Sequence, residues 1–202
     1  MNKEEIYRDL CLEVKELVSD TRNWVSNTSN VSALVYSTLR KNGMPVNWVG
    51  FYFTDKENIE VKESEREKRL NSHHDQSESA KELVESEKGK SLWLGPFQGE
   101  VACLKIGKGR GVCGACVVKR ETIVVPDVHK FPGHIACSSL TNSEIVLPLL
   151  LKSKGNDNET TIIGVFDLDG LEPNVFDEQD KVGLEAIVEI LLQSSDWNIW
   201  NV

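Results

Sequence analysis

Residues 143–170 read SEIVLPLLLKSKGNDNETTIIGVFDLDG. Two apolar, β-branched runs, Glu144–Leu151 and Thr160–Asp169, flank a polar joint around Lys154–Glu159 that contains Gly155. This is the signature of two strands and a hairpin turn, so the sheet is built on an antiparallel pair. Upstream, Thr122–Val125 reads as a β-branched strand, as do Leu92–Phe97 (LWLGPF) and the aromatic segment Asn47–Phe53 (NWVGFYF). The glycine-rich stretch Gly107–Gly114 (GKGRGVCG) precedes a short helix expected through Val118. Helical spacing appears at Ile6, Leu10, Val14 and Leu17 in residues 3–19, and again over 23–41 at Trp24, Val31, Leu34, Val35 and Leu39. A last helix over 177–195 follows Asn174 and Asp177 as caps. The order predicts an α/β (α+β) fold: residues 1–202 as a single domain, with a central antiparallel sheet flanked by helices. Residues 55–90 break the pattern. They are mostly charged or small and polar, contain no aromatic residue, and read as a charged, mobile insertion between two strands.

The bulk numbers narrow the function classes. The chain of 202 residues is 40% apolar, enough for a packed core, and carries a net charge of −9. An acidic surface repels phosphate backbones, so no nucleic-acid partner is expected. The longest strictly apolar run, Ile145–Leu151, is too short to span a bilayer, so no membrane partner is expected. The start MNKEEIYRDL lacks the apolar run of a secretory signal. The protein is expected in the cytoplasm, with nuclear entry open to a chain of 22.7 kDa.

Four of the five cysteines, Cys103, Cys113, Cys116 and Cys137, lie within 35 residues of one another; the fifth is Cys11. In an intracellular chain such a cluster points to catalysis, redox chemistry or metal. Cys113, Cys116, His129 and His134 match the C-x2-C-x12-H-x4-H spacing of a zinc finger. However, Pro126 and Pro132 interrupt the helix that would have to carry both histidines, at a cost of about 3 kcal/mol each. No metal and no organic cofactor is expected. Cys113-Gly-Ala-Cys116 is also a C-x-x-C pair, but the βαβ context of a thioredoxin-like enzyme is missing. Cys116 is expected in the core as a small apolar residue. Cys113 stands at a helix start, where dipole and free N–H groups would lower a thiol pKa. Cys137, in FPGHIACSS, reads equally as a reactive loop cysteine near His134 and as an ordinary buried one.

Asp167 and Asp169, two apart in a strand, share one face. They could bind an ammonium or a metal, hold a proton between them, or simply end a strand in water. Trp48 and Tyr52, four apart in a strand, also share a face, as core or as the wall of a small-ligand pocket.

Taken in order, LGPFQGEVACLKIGKGRGVCG, VVPDVHKFPGHIAC, SEIVLPL and GVFDLDG resemble the free methionine-R-sulfoxide reductases, and NWVGFYF is similar to that family's early strand. The resemblance runs from about Asn23 to the end, interrupted by residues 55–90. It implies a GAF-like fold and reduction of free L-methionine-R-sulfoxide to methionine. It also implies Cys137 as nucleophile, Cys103 as resolving cysteine and Cys113 as a third redox cysteine. Glu144, Asp167 and Asp169 become the acids of the substrate site, and Trp48 and Tyr52 the pocket for the methyl group. It further implies a sulfenic acid, an intramolecular disulfide recycled by thioredoxin, and a homodimer. The sequence departs from the family pattern in three places: at Cys116, in the long insertion and in the extended joint at Lys154–Glu159. A non-enzymatic GAF module, sensing a small ligand or redox state, is the competing reading. It is disfavoured because no second domain receives a signal.

Overall fold

The computed structural model describes residues 2–54, 91–107, 109–134, 138–153 and 156–200. The insertion expected at 55–90 lies outside them, as does Cys137.

Helix α1 is Lys3–Leu17. The Asn2 side chain accepts from the Glu5 N–H, and the Glu5 carboxylate accepts from the Asn2 N–H, a reciprocal cap at the expected start. Helix α2 is Trp24–Lys41, capped by Asn23. Then come β1 (Val46–Thr54), β2 (Leu92–Gly99), the short β3 (Lys105–Ile106), helix α3 (Gly111–Lys119) and β4 (Ile123–Val125). Strands β5 (Ser143–Ser153) and β6 (Asn156–Gly170) and helix α4 (Glu178–Ser194) complete the order. Of the two caps considered for α4, Asp177 serves.

The strands form one six-stranded sheet in the order β3-β2-β1-β6-β5-β4, with every neighbour pair antiparallel. The β5–β6 hairpin is longer than expected. Asn156–Glu159, read as turn, belong to β6, which pairs Lys152 with Thr160 and Ser153 with Asn156. Backbone pairing is indifferent to side-chain polarity, so a polar run can extend a ladder beyond the core.

Period-two alternation divides the sheet into two unlike faces. On one, Val49, Phe51, Ile145, Leu147, Phe166 and Leu168 are buried against α1, α2 and α4. Phe51 and Phe166 stack across β1 and β6 with ring centroids 4.4 Å apart. Helices α1 and α4 are locked together by Asp180, whose carboxylate accepts from Tyr7 Oη at 2.9 Å and pairs with Lys3 Nζ at 2.5 Å. A side chain at Gly183 would bring its Cβ to 2.5 Å from Tyr7 Cδ1, so glycine permits this close approach. The other face carries α3 and a second cluster that includes Trp48, Tyr52, Val146 and Val165. Among the described residues, no helix is long and apolar enough to cross a membrane.

Candidate active site

The register of three strands assembles the acids. Trp48 on β1 pairs with Asp169 on β6, which pairs with Glu144 on β5. In the next row Gly50 pairs with Asp167, which pairs with Val146. With their side chains on the face away from α1, α2 and α4, Glu144, Asp167 and Asp169 line one pocket together with Trp48, Tyr52 and Cys113. Glu144 is 6% exposed and Asp167 5%, whereas Asp169 is partly exposed. The solvated strand end considered for the two aspartates is therefore not what the fold builds.

The aromatic wall is formed by Trp48 and Tyr52, and Phe97 supports it. Trp48 stacks on Tyr52, centroids 5.7 Å apart, and on Phe97 at 5.3 Å. Gly50 makes room for this wall, because a Cβ there would lie 2.5 Å from Trp48 Cη2. Trp48 Nε1 donates to the Glu100 carbonyl at 3.2 Å, and Tyr52 Oη donates to the Cys103 carbonyl at 3.0 Å. Phe97 supports Trp48 without lining the pocket, a contact that its strand alone does not reveal.

The glycine-rich stretch brings Cys113 over the acids. Gly109 and Gly111 have φ of +74° and +63°, which side chains other than glycine rarely tolerate. Gly114 packs α3 against this turn, since a Cβ would lie 2.8 Å from the Gly109 carbonyl carbon. Cys113 Sγ then donates to Asp167 Oδ2 at 3.3 Å and lies 3.9 Å from Glu144 Oε1. Gly111 N–H donates to the Gly133 carbonyl at 3.2 Å, tying α3 to the FPGH loop. His134 Nε2 sits 3.6 Å from Glu144 Oε2, and burial pushes its pKa down.

The electrostatics correct one expectation. The start of α3 was expected to lower the Cys113 pKa; instead it is raised well above the ordinary thiol value. Burial is the main cause, followed by the charges of Asp167 and Glu144. A helix terminus contributes about 0.3–1 kcal/mol, which burial of a thiol beside two carboxyls outweighs. Burial also pushes up all three acids, reinforced by Asp169 at Glu144, by Glu144 at Asp167 and by Asp167 at Asp169. The pocket is thus an apolar-walled site whose carboxyls favour a proton or a bound cation.

The remaining cysteines divide as follows. Cys116 is in the core as expected, fully buried, its Sγ against the Glu121 and Val146 carbonyls. Cys11, Cys113 and Cys116 are free thiols, and Cys103 is disulfide-bonded. The zinc-finger quartet does not converge: among the described residues, Cys113, Glu144 and Asp167 form the group with clustered ligand atoms, while His129 faces Asn142.

No protein-family model matches the chain. A free methionine-R-sulfoxide reductase of Saccharomyces cerevisiae is 37% identical over 194 residues, covering 96% of this chain and 88% of its own. A solved GAF domain superposes with a TM-score of 0.75 at 36% identity, covering 98% of this chain and 91% of its own. The free methionine-R-sulfoxide reductase of Neisseria meningitidis, solved in complex with its substrate, superposes with a TM-score of 0.71 at 33% identity, covering 100% of this chain and 93% of its own. With near-complete coverage on both sides, the chain belongs to the free methionine-R-sulfoxide reductase family and has the fold of a GAF domain.

Proposed function

We propose that this protein reduces free L-methionine-R-sulfoxide to methionine in the cytoplasm, using Cys137 as nucleophile, Cys103 as resolving thiol and Cys113 in recycling. The observation that carries the reading is the convergence of Glu144, Asp167 and Asp169 beside the Trp48–Tyr52 wall. A free amino acid brings an ammonium to the acids and an apolar sulfur substituent to the aromatic rings. A peptide-bound methionine has no ammonium, which would leave buried carboxyls without their partner.

The chemistry follows from this division. The Cys137 thiolate attacks the sulfoxide sulfur, and a carboxyl held protonated by burial and by its neighbours donates to the oxygen. The hydroxyl then passes from the substrate sulfur to the Cys137 sulfur as the bond between the two sulfurs breaks, which releases methionine and leaves Cys137 as a sulfenic acid. Cys103 attacks that sulfur, a disulfide forms, and the oxygen leaves as water. Cys103 is disulfide-bonded while Cys113 is a free thiol, which fits Cys103 rather than Cys113 as the resolving residue. Cys103 lies between Val101 and Leu104, which are 89% and 73% exposed. This apolar rim favours recycling by a protein dithiol such as thioredoxin, through thiol–disulfide exchange. Substrate binding adds one positive charge to the acid cluster, so one carboxyl can ionise against the ammonium while another keeps its proton.

The test couples methionine formation to NADPH oxidation through thioredoxin and its reductase. Free R-sulfoxide should be consumed with stoichiometric release of methionine. Absence of methionine with reduced thioredoxin present would refute the activity. In a single turnover without reductant, Cys137→Ser should release no methionine, while Cys113→Ser and Cys103→Ser should each release about one equivalent.

A further inference from the structure

His129 stands outside the pocket, yet it closes a hydrogen-bonded junction that the acid chemistry does not use. Between β4 and β5, residues 131–141 supply His134, Ser138 and Thr141 to the pocket lining and contain Cys137. The two ends of this segment meet at Asn142. Val128 N–H donates to the Asn142 carbonyl at 3.0 Å, and His129 Nε2 lies 3.0 Å from Asn142 Oδ1. Asn142 Nδ2 donates to the Leu140 carbonyl at 3.1 Å and to the Leu171 carbonyl at 2.9 Å. These two acceptors fix which end of the amide is nitrogen, so Oδ1 faces His129 and the ring donates from Nε2. The Asn142 N–H donates to the carbonyl of Gly170, the residue after Asp169, at 2.8 Å. We propose that His129 and Asn142 are positioning residues for the reduction, which together clasp both ends of the segment that carries Cys137 to the end of β6, beside the acids.

Every polar group of Asn142 is engaged in this junction, backbone and side chain alike. Asp127 sets the turn before it, accepting from the His129 N–H at 3.1 Å and pairing with Lys130 Nζ at 2.9 Å. On the other side the Gly111 N–H holds the Gly133 carbonyl, so the segment is tied to α3 as well as to β6. A nucleophile carried between two strands reaches its target only if both ends of its segment are fixed, and a misplacement of about 1 Å can cost about 10²-fold in rate. His129 is exposed, so its loss acts on position rather than on the core. The role in reduction rests on the proposed function, because it takes Cys137 as the nucleophile; the junction does not.

The test compares His129→Ala and His129→Gln in the full, reduced chain. Three quantities are read: the rate of methionine release in a single turnover, the affinity for free methionine, and hydrogen exchange in residues 131–134 and 138–141. His129→Ala should slow release by about tenfold to 10²-fold and leave the affinity nearly unchanged. Exchange in both stretches should rise while the thermal midpoint stays near that of the wild type. His129→Gln, whose amide can donate to Asn142, should restore most of the rate and the protection. Asn142→Asp keeps Oδ1 but loses both side-chain donors. In that background His129→Ala should slow release less than it does in the wild type, because the two residues act as one unit. Unchanged release from His129→Ala in an active protein overturns the proposal, as does a loss that His129→Gln fails to restore or a loss in affinity alone. A wild type that releases no methionine, while exchange follows the two variants as stated, keeps the clasp and removes the proposed function. An active wild type whose release and exchange ignore His129→Ala does the reverse.

Discussion

The two faces of the sheet are made by the same strands yet follow opposite rules. Along β6, Phe166 and Leu168 point to one side and Asp167 and Asp169 to the other. Against the helices the face is dry and aromatic, and Phe166 is fully buried in stacking contact with Phe51. Under α3 the face is just as enclosed at Glu144 and Asp167, yet it buries carboxyls and a thiol whose charges disfavour one another. Enclosure alone therefore does not distinguish a core from a site. On the helix side, burial stabilises by about 1.5–3 kcal/mol for each large apolar side chain. On the α3 side it raises the free energy of every ionised form. A domain that tolerates the second face must draw its stability from the first.

Substitutions can break that division. The largest effect is expected in catalysis: Glu144→Gln, Asp167→Asn and Asp169→Asn, made singly, should include one that lowers kcat by about 10²–10⁴-fold, the loss of a general acid. The others should act mainly on KM, and uniform effects on KM alone would remove the proton-donor role. On the opposite face, Phe166→Ala should lose about 3–5 kcal/mol in urea unfolding. Each folded molecule should keep its turnover, whereas loss of activity at full stability would mean that the faces are not separate. N-acetylation of the substrate should reduce kcat/KM about tenfold or more, one charge-assisted contact of about 1.5–3 kcal/mol.

A smaller effect concerns pH. Asp167 binds its proton more tightly in the folded protein than in the unfolded chain. Its contribution to stability is full below the ordinary carboxylate range and is lost as pH rises through that range toward the raised native value. Asp167→Asn, which keeps a neutral side chain, should flatten this decline and be more stable than wild type at neutral pH. Each unit of raised pKa corresponds to about 1.4 kcal/mol. Equal slopes for wild type and Asp167→Asn above the ordinary carboxylate range would show that Asp167 is not the group responsible. The smallest effect belongs to Cys116, which lies under the site yet packs as core. Cys116→Ala should cost about 1 kcal/mol and leave turnover unchanged.

Much of this division is legible in the sequence. The alternation of FDLD puts Asp167 and Asp169 on one face in any extended strand, and the spacing of Trp48 and Tyr52 does the same on β1. The start of α4 was legible at Asp177, whose side chain caps it. Glu144 could not be joined to the aspartates from spacing alone. It meets Asp169 through the register of β5 on β6, with 24 intervening residues between them in the chain. Phe97 meets Trp48 for the same reason, through pairing of β2 with β1.

Cys113 marks the boundary most sharply. From its sequence one can read a glycine turn, a helix start and hence a local dipole that favours a thiolate. What lies across from that helix start is decided by packing: two buried carboxyls. The residues themselves determined the strands, the alternation and the positions of the thiols, because backbone geometry repeats over a few residues. Only the tertiary structure decided the direction of the Cys113 shift and the union of the three acids. Desolvation and charge act through space between segments distant in the chain, and here they outweigh what the local backbone offers.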